Sequence, residues 1–190
     1  MRIPFVREYW IGRTFVHSMP AELSPPRMGE DVQLRTLTAD DLHCIRGSTD
    51  PELRRRNAQP GPGVVRLGAW RQGTLAGVCT FVFGEAYDGY YALRADEAEL
   101  IDIYTTPEHR GAGIASALIR HGTAAMHRDG FVKLYAKVWH NNAPSSNAFL
   151  RAGWTRECFF VRVQAVGLSR AIYVQWPPVG HATGATRATG

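Results

Sequence analysis

The chain has 190 residues, of which 45% are hydrophobic and 21% charged, and its formal net charge is +5. This length and composition are typical of one globular domain with some additional chain, and they exclude a largely disordered protein. The three cysteines, Cys44, Cys79 and Cys158, form no Cys-x-x-Cys pair. Neither a disulfide framework nor a zinc knuckle is therefore predicted, and the expected compartment is the reducing cytoplasm.

The positive charge is spread along the sequence rather than gathered in a patch. Arg54-Arg55-Arg56 is the only basic triplet, and no nucleic-acid-binding motif accompanies it. The longest mainly apolar stretch, residues 75–83, is too short for a membrane helix, and no signal peptide is recognised at the start. We therefore expect neither nucleic acid nor a membrane as a partner, whereas a small anionic cofactor suits the charge.

Apolar periodicity and turn residues divide most of the chain into strands and helices. Strands are predicted over 32–37, 64–71, 74–84, 98–105, 133–139, 159–166 and 168–176. Helices are predicted over 38–47, 50–57, 114–130 and 144–151. Thr38, three residues before Asp41, is a capping-box signature for the first helix. Because helices and strands alternate along the chain, an α/β or α+β domain is predicted over 31–176. Residues 1–30 are predicted to be an extension packed on this domain, and 177–190 a flexible tail.

A loop with two glycines lies between a predicted strand and a predicted helix. Its sequence is His109-Arg110-Gly111-Ala112-Gly113-Ile114-Ala115-Ser116. Backbone N–H groups in such a turn, together with the positive end of the helix dipole, can bind a diphosphate. The spacing lacks the third glycine of a dinucleotide-binding fingerprint and the Gly-Lys-Ser/Thr of a Walker loop. From the loop alone, a tight turn and a diphosphate site are equally open.

A second motif follows the loop. It comprises Asn142, the run 145–149, and Ala152-Gly153-Trp154. The first motif consists of Arg110, Gly113 and Ala115 of the loop. In this order, the two motifs resemble those of the GNAT superfamily of N-acetyltransferases. The resemblance covers about 32–176. It implies a mixed, mostly antiparallel central sheet flanked by helices, and it implies acetyl-CoA (coenzyme A) as the cofactor.

The resemblance also implies which residues contact the cofactor. The diphosphate would lie on the loop, the thioester carbonyl on the backbone of the preceding strand, and the pantetheine arm near Asn142. Arg151 could reach a phosphate. The alternatives are that Asn142 only forms a turn at the end of a strand and that Arg151 only lies on a solvated helix face. The implied cofactor-binding residues are Ile103, Tyr104, Thr105, Arg110, Gly111, Ala112, Gly113, Ile114, Ala115, Ser116, Asn142 and Arg151.

Transfer of an acyl group to an amine calls for a general base, because an ammonium group with a pKa of about 10.4 is protonated at neutral pH. Glu99 is the first candidate, since it precedes Arg110 by eleven residues, the spacing of the catalytic glutamate in the histone-acetyltransferase branch. Asp102 is the second. On an unbulged strand the two carboxylates lie on opposite faces, so we do not expect them to act as a pair. The alternative role of Glu99 is that of a solvated carboxylate, and the alternative role of Asp102 is a structural hydrogen bond.

The sequence lacks the usual proton donor to the departing thiolate. Phe149 stands where many family members carry a tyrosine with this role. Tyr104, a water molecule or no dedicated acid are the alternatives. A catalytically silent acyl-CoA-binding or sensing module is the alternative function, and it is consistent with the phenylalanine.

The acceptor is expected to be a primary amine of a small molecule or peptide. Between residues 85 and 99 acidic residues alternate with tyrosines, which favours attraction of a cationic amine. The candidate substrate-binding residues are Glu85, Tyr87, Tyr90 and Tyr91. A solvated polar loop is the alternative. No histidine set has metal-ligand spacing, so no metal is predicted, and a homodimer is left open.

Overall fold

One mixed sheet contains the strands of the residues that the computed structural model describes, which are 6–18, 31–56, 61–89, 92–167 and 171–176. The strands are β1 (Val6–Ser18), β2 (Val32–Thr36), β3 (Val64–Arg71), β4 (Thr74–Val82), β5 (Glu97–Thr105), β6 (Lys133–Trp139), β7 (Thr155–Ala165) and β8 (Ile172–Trp176). The α-helices are α1 (Asp41–Gly47), α2 (Pro51–Arg54), α3 (Ile114–Arg128) and α4 (Ala143–Arg151). Single 3₁₀ turns lie at Gly84–Ala86 and Pro107–His109.

The eight strands follow the order β2-β3-β4-β5-β6-β1-β7-β8. Neighbouring strands are antiparallel except β5 and β6, which run parallel and are connected through α3. A parallel pair needs such a crossover, because its second strand must start at the same edge of the sheet as the first. The prediction of a mixed, mostly antiparallel sheet flanked by helices is confirmed.

Two apolar clusters cover opposite faces of β4. Cys79 and Phe81 pack in the larger cluster with residues of α3 and α4, whereas Val78 packs in the smaller cluster with Leu42 and Ile45 of α1. Successive residues of a strand point to opposite faces, so this division defines an α3 face and an α1 face of the sheet. Both faces of β4 are therefore buried.

Local sequence signals produce the predicted turns and caps. At the β3–β4 hairpin both turn residues, Gln72 and Gly73, have positive φ, as a two-residue hairpin turn requires. At the start of α1 the backbone N–H of Thr38 donates to Oδ2 of Asp41 at 2.8 Å. Arg35 also binds this carboxylate and, with Thr38, holds the pKa of Asp41 well below its usual range. The second predicted helix is shorter than expected and ends at Arg54.

The structure places the N-terminal segment differently from the expectation based on the sequence. Residues 1–30 are expected to lie on the domain, but residues 6–18 form a strand inside the sheet, between β6 and β7. Phe15 of this strand is fully buried, with its ring centroid 5.3 Å from that of Phe149. Residues 1–5, 19–30 and the tail 177–190 lie outside the described residues. The domain boundaries therefore remain a prediction.

The central parallel strands separate along their length. Pairing between β5 and β6 ends at Leu100 and Ala136, whereas β5 continues to pair with β4 as far as Thr105. A gap therefore opens between β5 and β6, and it lies directly before the glycine loop. Among the described residues, no helix is long and apolar enough to cross a membrane.

The position of β1 can be tested at Gly12. A Cβ on Gly12 would lie 2.5 Å from the Phe160 ring and 2.6 Å from the Val138 carbonyl oxygen. We expect Gly12→Ala to lower the free energy of unfolding by about 1–3 kcal/mol, because the tightly packed neighbours must shift. The control is Gly47→Ala, where a Cβ meets nothing within 4 Å and a gain of up to about 1 kcal/mol is expected in a helix. Urea denaturation measures both, and equal effects would contradict the packing of β1.

Candidate active site

A β-bulge in β5 brings the two candidate bases to one face. Glu99 pairs with Val82 and Asp102 with Thr80, two residues apart on β4, so Ile101 is the additional residue of the bulge. The extra residue reverses the alternation beyond it. Glu99 and Asp102 therefore lie on the same α1 face, and the expectation that they lie on opposite faces is wrong.

The Glu99 carboxylate is buried in an ion pair. Its side chain reaches the Nζ atom of Lys137 on β6 at 2.7 and 2.8 Å, and the Tyr87 hydroxyl donates to it at 2.8 Å. The residue is only 4% exposed, so it is not a solvated carboxylate at a strand start. The structure thus brings together the first candidate base, one predicted substrate residue, and a lysine that the sequence analysis did not identify.

Asp102 lies in a second, more open ion pair. Nε of Arg56, two residues after α2, donates to its two carboxylate oxygens at 2.8 and 3.1 Å. Beneath the pair lies Arg66, which donates to the Arg56 carbonyl oxygen. Burial lowers the pKa of the Arg66 guanidinium, and the nearby Asp102 carboxylate opposes this shift. Asp102 therefore makes a structural contact to the segment that follows α2. This agrees with the structural hydrogen bond given above as the alternative to a catalytic role.

Tyr104 directs its hydroxyl away from the gap between β5 and β6. It donates to Oδ2 of Asp50 at 2.5 Å, and Oδ1 of Asp50 accepts the backbone N–H of Glu52 at the start of α2. Burial, followed by this carboxylate contact, raises the pKa of Tyr104. The guanidinium of Arg56 stacks over the tyrosine ring at 4.4 Å, and that of Arg110 lies 6.0 Å away. The hydroxyl proton is therefore already committed to Asp50.

The glycine loop has the geometry of an anion site. Gly111 and Gly113 have φ of +81° and +79°, and no atom lies within 4 Å of a Cβ built on either. The glycines are thus required by the backbone conformation, and the space in front of them is open. No side chain caps α3, so the N–H groups of its first turn face this space. These features fit a diphosphate.

Other predicted cofactor residues border the loop and the gap. The buried Oγ1 of Thr105 has no hydrogen-bond partner among the described residues, which fits a polar ligand group beside it. Arg110 is exposed, and its Nε donates to the Thr105 carbonyl oxygen at 3.4 Å. Asn142 caps α4 by accepting the Ser145 N–H at 3.1 Å, and Arg151 is exposed at the end of this helix.

Phe149 is a core residue rather than a site residue. Its side chain is buried, with ring centroids 5.3 Å from Phe15 and 5.1 Å from Trp154. The position where many family members carry a tyrosine is therefore filled by apolar packing. No proton donor is supplied by this side chain.

The acidic segment before β5 divides into two parts. Glu85 and Asp88 are exposed, as recruitment of a cation would require. Glu97, in contrast, is 2% exposed and contacts Nε of Arg94 at 3.2 Å and the Tyr135 hydroxyl at 3.1 Å. It stabilises the start of β5 and is not a surface charge. The predicted Tyr90 and Tyr91 lie outside the described residues.

The site thus consists of a gap between two parallel strands, followed by a glycine loop and an uncapped helix. The sequence profile of the acetyltransferase (GNAT) family matches residues 32–154, well over half of the chain. The chain belongs to this family. Among curated protein sequences, no significant match is found.

Solved structures share the fold at low sequence identity. A GCN5-related N-acetyltransferase from Sphaerobacter thermophilus aligns with a TM-score of 0.58 and 15% identity, over 86% of this chain and 54% of its own. A GNAT-family structure from Novosphingobium aromaticivorans DSM 12444 gives 0.57 and 18%, over 84% and 66%. A GCN5-related N-acetyltransferase from Kribbella flavida gives 0.56 and 14%, over 92% and 60%. The present chain therefore spans between about half and two thirds of these structures.

Proposed function

We propose that the protein transfers an acetyl or other acyl group from coenzyme A to a primary amine of a small molecule or peptide, by direct attack in a ternary complex. The observation that carries this proposal is the position of Glu99. This buried carboxylate lies on β5 just before the gap between β5 and β6, and the same strand leads into the open loop at the start of α3. A base and an anion site are thus connected by one strand.

The loop and the gap would hold acetyl-CoA. The N–H groups at the start of α3, together with Arg110, would bind the diphosphate. The β5 backbone from Ile103 to Thr105 would donate an N–H to the thioester carbonyl oxygen, and Asn142 would lie near the pantetheine arm. When bound, the cofactor supplies an activated thioester. The protein would supply the groups that bind it and the base.

Glu99 is the general base in this proposal. An ammonium group with a pKa of about 10.4 needs roughly 4–5 kcal/mol to lose its proton at pH 7, so an adjacent carboxylate is useful. Glu99 would accept one proton from the ammonium group, and the free amine nitrogen would attack the thioester carbonyl carbon. As the carbon–sulfur bond breaks, the second proton of the nitrogen would pass to the departing sulfur, so that an amide and a free thiol form. Lys137 and Tyr87 fix the orientation of the carboxylate through the contacts described above.

The cofactor assignment can be tested at Ala112. This residue is exposed, and unlike its two glycine neighbours it does not have a positive φ, so a larger side chain adds no backbone strain. We expect Ala112→Glu to weaken acetyl-CoA binding at least tenfold, because a carboxylate would repel the diphosphate. Ala112→Gln is the control of matched size and should bind nearly as well as wild type. Calorimetric titration measures both, and equal affinity of all three proteins would remove the loop from the cofactor site.

The role of the base can be tested with Glu99→Gln, which keeps the side-chain shape and removes the basic site. We expect kcat at pH 7 to fall about 10²–10³-fold. Activity should recover as the pH rises toward the pKa of the amine, because the free amine then forms without a base. The measurement is amine-dependent thiol release from acetyl-CoA as a function of pH.

Two further variants make that result specific. Asp102→Asn changes the other candidate on the same strand and should leave the shape of the pH profile unchanged. Glu99→Gln removes the carboxylate partner of the Lys137 ammonium, so the double variant with Lys137→Met separates loss of the base from an unpaired charge. A wild-type pH profile in Glu99→Gln would transfer the role to Asp102 or to water. Acetyl-CoA binding without thiol release for any amine would indicate an acyl-CoA-binding module, which Phe149 favours.

Recruitment of the amine can be tested at the two exposed acids. The double variant Glu85→Gln/Asp88→Asn should raise KM for the amine about two- to fivefold at low salt and leave acetyl-CoA affinity unchanged. The effect should shrink at physiological ionic strength, where the Debye length is about 8 Å. Asp129→Asn, an exposed acid at the end of α3, is the control. Identical KM values at all salt concentrations would mean that these carboxylates only solvate the surface.

A further inference from the structure

Two tryptophans of neighbouring strands contact each other on the α1 face of the sheet. Trp139 ends β6 and Trp10 lies on β1, with ring centroids 4.3 Å apart and an angle of 36° between the ring planes. Trp139 is 41% exposed, although a tryptophan side chain gains more than most from burial. The pair is therefore an apolar surface held in a fixed orientation and open on one side.

The position of the pair links it to the reaction centre. Trp139 is two residues beyond Lys137 on β6, so both side chains lie on the same face about 6.6 Å apart along the strand. Lys137 contacts the Glu99 carboxylate, which brings that carboxylate alongside β6. Pairing of β6 with β5 has ended before this point, so Trp139 borders the gap between the two strands. Trp139 is therefore the next side chain on this face of β6 after the lysine that contacts Glu99.

The charges around the pair favour an uncharged ring as its ligand. Glu8 contacts Arg162 at 3.5 Å, and the Arg162 guanidinium lies 5.6 Å from the Trp10 ring. The other acid of this region, Glu99, is paired with Lys137. These two carboxylates each already have a cation, and an ammonium group placed over the tryptophan rings would meet the Arg162 guanidinium. A flat neutral ring gains the stacking contact without that repulsion.

We propose that Trp139, supported by Trp10, determines acceptor specificity by stacking on the aromatic ring of an arylalkylamine or an aromatic amino-acid derivative. The amino group of this acceptor extends toward Glu99. This inference rests on the proposed acyl transfer and names its class of acceptor.

The kinetic test compares three amines in amine-dependent thiol release from acetyl-CoA: 2-phenylethylamine, n-butylamine and 1,4-diaminobutane. Wild type should show at least a tenfold higher kcat/KM for 2-phenylethylamine than for n-butylamine. Trp139→Ala should abolish this preference by raising KM for the aromatic amine, while Trp139→Phe should keep much of it. Trp176→Ala is the control, since this tryptophan is 74% exposed on β8, away from the gap. KM for acetyl-CoA should not change in any variant.

A binding measurement separates failure of this inference from failure of the proposed function. Calorimetric titration of 2-phenylethylamine in the presence of coenzyme A needs no turnover, and Trp139→Ala should weaken binding at least tenfold relative to wild type. Equal binding, or an aromatic preference that survives in Trp139→Ala, would overturn the assignment. A preference for 1,4-diaminobutane that Trp139→Ala removes would also overturn it, by showing that the pair binds a cation. Aromatic-amine binding that depends on Trp139 without any thiol release would keep the site and refute the acyl transfer.

Discussion

The extra residue in β5, Ile101, is the feature on which the geometry of the site depends. It reverses the side-chain alternation along the strand, so that Glu99 and Asp102 share one face. Directly before it, hydrogen bonding to β6 ends at Leu100, while pairing with β4 continues to Thr105. One inserted residue therefore creates both the gap that fits a cofactor and the carboxylate cluster beside that gap. Without it, a shift of one residue would place one of these carboxylates in the apolar core under α3.

Paired charges stabilise the α1 face around this bulge. Glu99 is bound by Lys137, and Asp102 by Arg56. Breaking a buried pair leaves a charge without compensation, which is more costly than never having had the pair. The pairing also limits the electrostatic attraction that the site can exert, because most of its negative charge is already balanced. In the proposed reaction, shape and apolar contact then distinguish one amine from another.

The parts of the structure that the sequence predicts are those that arise from local signals. The glycine loop requires a positive φ at Gly111 and Gly113, and the capping residue of α1 is visible three positions ahead of its partner. The bulge and the place of β1 depend instead on pairing between distant segments, such as Gly12 against Phe160. The sequence contains one indication that Lys137 has a special role, since it is a lysine within the mainly apolar strand Lys133–Trp139. Its partner, Glu99, is identified by a side-chain contact between β6 and β5, which the sequence does not show.

The same distinction separates the two halves of the candidate site. The match to the GNAT family covers 32–154, and it includes β5, the loop and α3, which together form the proposed cofactor half. The strands β1, β7 and β8 lie outside that match, yet β1 is the neighbour of β6 on the side away from β5 and carries Trp10. The proposed acceptor half is thus built partly from segments that the family pattern does not describe. In this proposal a chain can keep the cofactor half of its family while changing its acceptor through β1, because β1 pairs with the strand that carries Lys137 and does not form the glycine loop.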